Sequence, residues 1–234
     1  MKAMTIRYRN IFLLGLIFFV HEGGAQSRPQ SKFSLSPGIY YNGNGCSDDV
    51  VGMGLTVGLE YKPVRYFGLE LRTRYGLYGF DDGTSWTTDW HGEDIPPVNE
   101  GLADLEHSLS SPGIGLIPKF YLSIGDDEDD PWFLFLENEL SLAWIRGTVQ
   151  YNGEPSARKR ITETIFCYNI ALGIEYVYNV RKNNNSIAVS AGYSTLNFRK
   201  KIRKNQPEGY IGWIPDQDAA LILNIILKIP PGKP

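Results

Sequence analysis

The chain has 234 residues, 42% of them hydrophobic and 21% charged, with a formal net charge of −3 at pH 7 and two cysteines. This mild acidity argues against a nucleic-acid partner, and two cysteines do not make a disulfide-dense scaffold. Past residue 25 no run of 18 apolar residues occurs, and the nearest to one, Ala219 to Ile229, is too short to be a membrane-spanning helix.

The N-terminus carries Lys2, Arg7 and Arg9, then the apolar run Ile11 to Val20, then the small residues Gly23 and Ala25. A positive start, a short apolar core and a small-residue junction are the features of a secretory signal peptide; the competing reading is a short buried helix. Residues 1–25 are therefore expected to be a signal peptide cleaved between Ala25 and Gln26, and residues 26–234 a single exported domain. The mature part keeps 20 basic and 25 acidic residues, a net of −5. No cysteine stands at the junction, so no lipoprotein anchor is expected.

Alternation with period two then dominates the chain. Phe33, Leu35, Ile39 and Tyr41 alternate in a first strand interrupted by Pro37, which lacks the donor a ladder requires. From Val51 to Tyr61 one face carries Val51, Met53, Leu55, Val57, Leu59 and Tyr61, and the other Gly52, Gly54, Thr56, Gly58 and Glu60. After Lys62–Tyr66 the pattern resumes: Phe67, Leu69, Leu71, Thr73, Tyr75 and Leu77 oppose Gly68, Glu70, Arg72, Arg74, Gly76 and Tyr78. A fourth strand sets Ile114, Leu116, Phe120 and Leu122 against Gly113, Gly115, Lys119 and Tyr121. The fifth has Trp132, Leu134, Leu136, Leu140, Leu142 and Trp144 opposite Glu137, Glu139, Ser141 and Ala143, with Phe133 and Phe135 breaking the pattern. The sixth runs from Phe166 to Tyr178, opposite Asn169, Ala171, Gly173 and Glu175. The seventh carries Ile187, Val189, Ala191 and Tyr193, and the eighth Leu221, Leu223, Ile225, Leu227 and Ile229 opposite Asn224 and Lys228, with Ile222 and Ile226 as exceptions.

The connections sort by length. Lys62–Tyr66, Gly125–Pro131 and Asn179–Asn185 are short; Asp81–His107, Arg146–Thr162 and Asn197–Asp218 are long. Short turns at one end and long loops at the other are the layout of a transmembrane β-barrel. Alternation alone also permits a lipocalin-like soluble barrel, with its apolar face inside. Two features favour the membrane arrangement. Glycine crowds the polar face, where a narrow lumen needs small side chains beside large ones. The charges on that face also nearly balance: Glu60, Glu70, Glu137, Glu139 and Glu175 against Arg72, Arg74, Lys119 and Lys228. Enclosed charges need partners, so a salt-bridged lumen is expected. Tyr61, Tyr66, Phe67, Trp132, Tyr176 and Tyr178 gather near the short turns, and Tyr41, Tyr75, Trp144, Phe166, Tyr168 and Tyr193 toward the long loops, in the manner of two interfacial girdles. The expected fold is all-β: an eight-stranded antiparallel up-and-down transmembrane β-barrel.

Val51–Tyr61 and the segment Gly115-Leu116-Ile117-Pro118-Lys119-Phe120-Tyr121 resemble the small outer-membrane β-barrel families (OmpA-like, OmpW-like, opacity-protein-like), and more closely the outer-membrane β-barrel domain of Bacteroidota that includes PorT-like proteins. The resemblance implies location in the bacterial outer membrane, with outer-membrane lipids and lipopolysaccharide as neighbours, envelope proteins as partners, and no cofactor. It departs from the pattern at the last strand, which closes on Ile229 and not on an aromatic residue.

No catalytic constellation stands out. Past residue 25 only His91 and His107 remain; His107 with Ser108 and Ser110, oriented by Glu106 or Asp104, is the arrangement a lipid-modifying enzyme would need, against the plainer reading of a polar loop end. Asp126–Asp130 lack the ligand spacing of a calcium loop and read as a solvated turn. Arg158-Lys159-Arg160 and the basic residues Arg199 to Lys204 offer contacts to lipopolysaccharide phosphates or ordinary surface charge, and Trp86, Trp90 and Trp213 a binding surface or loop packing. Cys46 and Cys167 are left open between a bridge and two thiols. The sequence points to a non-enzymatic barrel with a plugged polar lumen acting through its loops. A narrow conduit for small hydrophobic molecules, a lipid-modifying enzyme and an accessory of a secretion machine are the alternatives.

Overall fold

The computed structural model describes residues 32–43, 51–87, 101–124, 131–152, 157–178, 185–196, 204 and 220–231. Eight strands follow one another: β1 (Phe33–Gly43), β2 (Val51–Val64), β3 (Phe67–Thr87), β4 (Gly101–Ser123), β5 (Trp132–Asn152), β6 (Ala157–Tyr178), β7 (Asn185–Ser194) and β8 (Ala220–Lys228). Each pairs antiparallel with the next, and β1 pairs with β8, so the sheet closes into an up-and-down barrel with no free edge at its waist.

The prolines fall where the closed ladder tolerates them. Pro37 pairs with Val57 of β2, but the β1–β8 ladder skips it, running from Gly38↔Ile226 to a lone bridge at Leu35↔Ile229. Pro112 and Pro118 keep their β3 partners Tyr75 and Leu69 and coincide with the two gaps in the β4–β5 ladder. In each case the missing N–H is matched by a skipped rung on one side only.

The faces are inverted relative to a soluble barrel. Leu55 is 65% exposed and Leu172 is 61% exposed, whereas Glu70 and Arg72 are each 0% exposed. Leu, Val and Ile of every strand from β1 to β8 take part in the exposed outer wall, with Tyr61, Trp132, Tyr176 and Tyr178 exposed toward one end and Tyr75, Phe166 and Tyr193 toward the other. The residues that break the alternation turn inward: Phe133, Phe135, Ile222 and Ile226 are buried in the interior. Phe133, Phe135 and Ile226 form an apolar floor with Tyr121 and Ala188 at the short-turn end.

Two expected connections are strands for most of their length. Asp81–His107 contains the end of β3, to Thr87, and the start of β4, from Gly101; Arg146–Thr162 contains the ends of β5 and β6, leaving residues 153–156 between them. At the ends of β3 and β4 polar and apolar residues fall at both odd and even positions, and at those of β5 and β6 the outward positions turn polar, with Arg146, Thr148, Arg158 and Arg160, while Val149 and Ile161 stay inward; the apolar outer stripe thus stops before the strands do, yet each strand satisfies its neighbour's backbone. Asp81 pairs with Glu106 and, past an irregularity between Asp82 and Ser85, Thr87 pairs with Gly101; Thr148 pairs with Arg160. The connection expected over Asp81–His107 thus supplies strand from Gly101 onward. Likewise Lys62 to Val64 extend β2, and only Arg65 and Tyr66 form the turn. The barrel therefore has a tall side, β3–β6, at 21 to 23 residues per strand, and a short side, with β7 and β8 at 10 and 9.

Candidate functional site

Among the described residues, the inward face of the barrel holds the densest polar chemistry. Period-two geometry puts Glu70, Arg72 and Arg74 on one face of β3, and register sets glycines beside their long side chains: Gly58 and Gly115 stand opposite Arg72, and Gly68 opposite Lys119. A Cβ at Gly58 would strike the Glu70 carboxylate, and one at Gly68 the Glu60 carboxylate. Glycine is there because the lumen is filled, not because the strands need freedom.

At mid-height two carboxylates and two cations lock together. Arg72 donates from Nε to Glu70 Oε1 at 2.7 Å and from Nη2 to Glu70 Oε2 at 2.9 Å, a two-pronged contact along one strand, and Nη2 also reaches Glu137 Oε1 at 3.0 Å. Lys119 Nζ closes the ring, 2.5 Å from Glu70 Oε2 and 2.9 Å from Glu137 Oε1. The set is neutral, and every member is buried. Neutrality matters because an unpaired charge in such a place costs several kcal/mol. Ser190 extends the network, donating to Glu137 Oε2 at 3.3 Å while accepting from Asn224 at 3.0 Å.

Toward the short turns a second cluster centres on Lys228. Its Nζ lies 2.8 Å from Glu60 Oε2, 2.6 Å from Glu175 Oε2 and 2.7 Å from the Tyr121 hydroxyl. Tyr121 in turn donates to Glu60, and Ser186 to Glu175 Oε1 at 2.5 Å. The second positive charge comes from Lys62, whose Nζ stands 3.8 Å from the centroid of the Tyr121 ring. That distance suits a cation–π contact. Phe135 packs against the same ring at 5.8 Å between centroids.

Toward the opposite end the interior loosens. Arg74 pairs with Glu139, and its guanidinium lies 5.4 Å from the Tyr40 ring centroid. The Tyr40 and Tyr78 hydroxyls are 3.4 Å apart. Between them and Asn42, Ser111 and Asn169 lies a cavity of about 20 Å³, room for about one water. Beyond it Leu109, Ile145, Val149 and Ile161 are buried in the interior of the tall side.

Glu60, Glu70, Arg72, Arg74, Lys119, Glu137, Glu139, Glu175 and Lys228 thus all lie in the interior, in three successive clusters. Lys62 is absent from the charges expected in the lumen, because it follows the alternating run Val51–Tyr61; as the next even position of β2 it continues the inward face. Tyr121, Ser186 and Ser190 are likewise absent as partners, since their hydroxyls acquire roles only through register. Arg158, Lys159 and Arg160, expected in a loop, lie in β6 and are exposed. Ser110 donates to the Arg146 carbonyl at 3.2 Å and Ser108 is exposed, while His107 lies in β4 opposite Phe80 and Val149. Cys167 is buried. Ala25, Gln26, Cys46, His91, Trp90, Trp213, Arg199 to Arg203 and Asp126–Asp130 lie outside the described residues.

No family model and no curated protein matches the chain. Among solved structures it is similar to the attachment invasion locus protein of Yersinia pestis, in complex with the heparin analogue sucrose octasulfate, with 12% identity, coverage of 86% of this chain and 98% of that one, and a TM-score of 0.45. It is similar also to Neisserial surface protein A, with 12% identity, coverage of 87% and 99%, and a TM-score of 0.45.

Proposed function

We propose that the chain is an integral protein of the bacterial outer membrane, exported by a cleaved signal peptide. In this reading it is a non-enzymatic barrel whose lumen is plugged by its own ion pairs and which acts in structure or binding through the end formed by the tall strands. Its neighbours are outer-membrane lipids and lipopolysaccharide, with envelope proteins as further partners. Membership in the Bacteroidota outer-membrane β-barrel domain is part of this reading and rests on Val51–Tyr61 and the Gly115–Tyr121 segment. The observation that carries the reading is the inversion of faces: an aliphatic wall exposed around the whole circumference encloses buried, mutually neutralised charges. Water is a poor solvent for such a wall and lipid a good one.

The mature chain folded into lipid bilayers is expected to migrate faster on an unheated detergent gel than after boiling, and to give no wide-pore conductance in planar bilayers. A soluble chain without the mobility shift would remove the membrane reading; stable conductance of a wide aqueous pore would remove the plug and leave the barrel.

One observation favours the narrow-conduit alternative for small hydrophobic molecules. Leu109, Ile145, Val149 and Ile161 give the tall side an apolar inner surface beyond the ion pairs. An apolar fluorophore held within the barrel and released by Ile145→Asp would support that role.

A further inference from the structure

The tall side of the barrel also has an outer surface, and its charges are arranged. On β5, Ile145 and Val149 point inward at 0% exposure, so Arg146 and Thr148 point outward. On β6, Ile161 points inward, so Arg158, Arg160 and Thr162 point outward. Register brings the two strands into step: Arg146 faces Thr162, Thr148 faces Arg160 and Gln150 faces Arg158. Arg146 and Arg160 are then diagonal neighbours, about 7–8 Å apart at the backbone, and Arg158 follows Arg160 by about 7 Å along the strand. All three arginines are exposed. The outward positions of β4 beside them, Ser110 and Ser108, are uncharged; the next acidic residue on that side, Glu106, stands across Gln150 in the register.

Immediately below this ladder the wall turns apolar. Trp144, half-buried, precedes Arg146 on the outer face of β5, and Leu142 and Leu140 of β5 and Phe166 of β6 follow in the same direction, all three exposed. From Trp132 to Trp144, a rise of ~3.4 Å per residue on a strand tilted by ~40° gives a band about 30 Å tall. That height matches the hydrocarbon core of a bilayer, about 30 Å thick. Arg146 sits one step past the rim, in the layer where lipid phosphates lie.

We propose that Arg146, Arg158 and Arg160 form a binding site on the outer wall of β5 and β6 for a phosphorylated, multiply acylated lipid of the outer leaflet. Guanidinium is the side chain suited to phosphate, through paired N–H donors. A soluble anion would use the arginines alone. An acylated phosphate uses the arginines for its head and the wall of Leu142, Leu140 and Phe166 for its chains. The continuity of charge with exposed apolar surface therefore favours a lipid. The proposal rests on the membrane reading given above.

The test uses the mature chain in detergent micelles, with labelled bis-phosphorylated lipid A as probe. The triple variant R146Q/R158Q/R160Q is expected to bind it about 10- to 100-fold more weakly than the parent. Dephosphorylated lipid A should bind both weakly, and K32Q, an exposed change at the opposite end, should bind like the parent. The triple variant must keep the heat-dependent mobility shift, which shows that it folds. Equal binding of lipid A by parent and triple variant overturns the site, and so does a soluble sulfated sugar that binds the arginines as tightly as lipid A does. Failure of the parent itself to insert into bilayers overturns the membrane reading instead, a different result from a different measurement.

Discussion

The mid-height of the lumen and the region beyond it solve the same problem with different margins. At mid-height Glu70, Arg72, Lys119 and Glu137 share contacts of 2.5 to 3.0 Å, so each charge has two partners. Farther toward the tall end Arg74 and Glu139 have one another, a tyrosine face and a cavity of about 20 Å³. The difference teaches where the barrel is committed to being shut. A charge with two opposite partners and no access to water cannot be removed alone, because the others are left in deficit. A charge beside a wettable cavity leaves a partner that water can reach.

The largest contrast is therefore expected at Arg72. Arg72→Ala leaves Glu70 and Glu137 facing Lys119 alone, two carboxylates for one ammonium. It should cost about 3–5 kcal/mol, read from urea unfolding of the protein in lipid vesicles. Adding Glu137→Gln restores neutrality between Glu70 and Lys119, and most of the lost stability should return. A double variant no more stable than the single one would show that packing, and not charge balance, holds this level.

Much of this was legible in the sequence because period two is an unforgiving signal. A slip of one residue exchanges the faces, and the faces of β2, β3 and β7 read cleanly. The charged residues follow from the faces alone: once Glu60 and Lys228 are inward, the lumen must hold both. What was not legible depends on register and on strand ends that run past the apolar stripe. Nothing in the sequence near Tyr121 says that its hydroxyl bridges Glu60 and Lys228; that follows from β4 and β8 standing across a narrow lumen from each other. The ends of β3 to β6 read as loops in the sequence because the apolar outward stripe stops before the strands do, and pairing there is carried by the backbone. Arg158 and Arg160 changed meaning for this reason: in a loop they are scattered charge, and in a strand opposite Gln150 and Thr148 they become a ladder.

The glycines offer a sharper and smaller contrast. A Cβ at Gly58 would collide with the Glu70 carboxylate, which Arg72 and Lys119 hold in place. A Cβ at Gly113, beside the cavity, would meet the Leu142 carbonyl oxygen at 3.0 Å and Ala143 Cα at 3.6 Å. Gly58→Ala should destabilise by about 1–3 kcal/mol through overpacking, and Gly113→Ala by less than about 1 kcal/mol, both read from the same urea midpoint. Equal effects would mean that the two levels are packed alike.

Arg74 is expected to matter less to stability than Arg72, and not at all to permeation. Its side chain keeps 12% exposure where Arg72 keeps none, so Arg74→Met leaves Glu139 beside a cavity that already has room for water. Deleting one partner of a fully buried pair costs about 3–5 kcal/mol; hydration of the stranded carboxylate should hold the cost here to about 1–2 kcal/mol. The methionine also withdraws a guanidinium from the Tyr40 ring, which enlarges the space on the tall side without touching the quartet. In planar bilayers Arg74→Met should therefore remain closed, because Glu70, Arg72, Lys119 and Glu137 still span the lumen below it. Conductance from this single change would move the barrier from the mid-height quartet to the Arg74–Glu139 pair and reverse the ranking of the two levels.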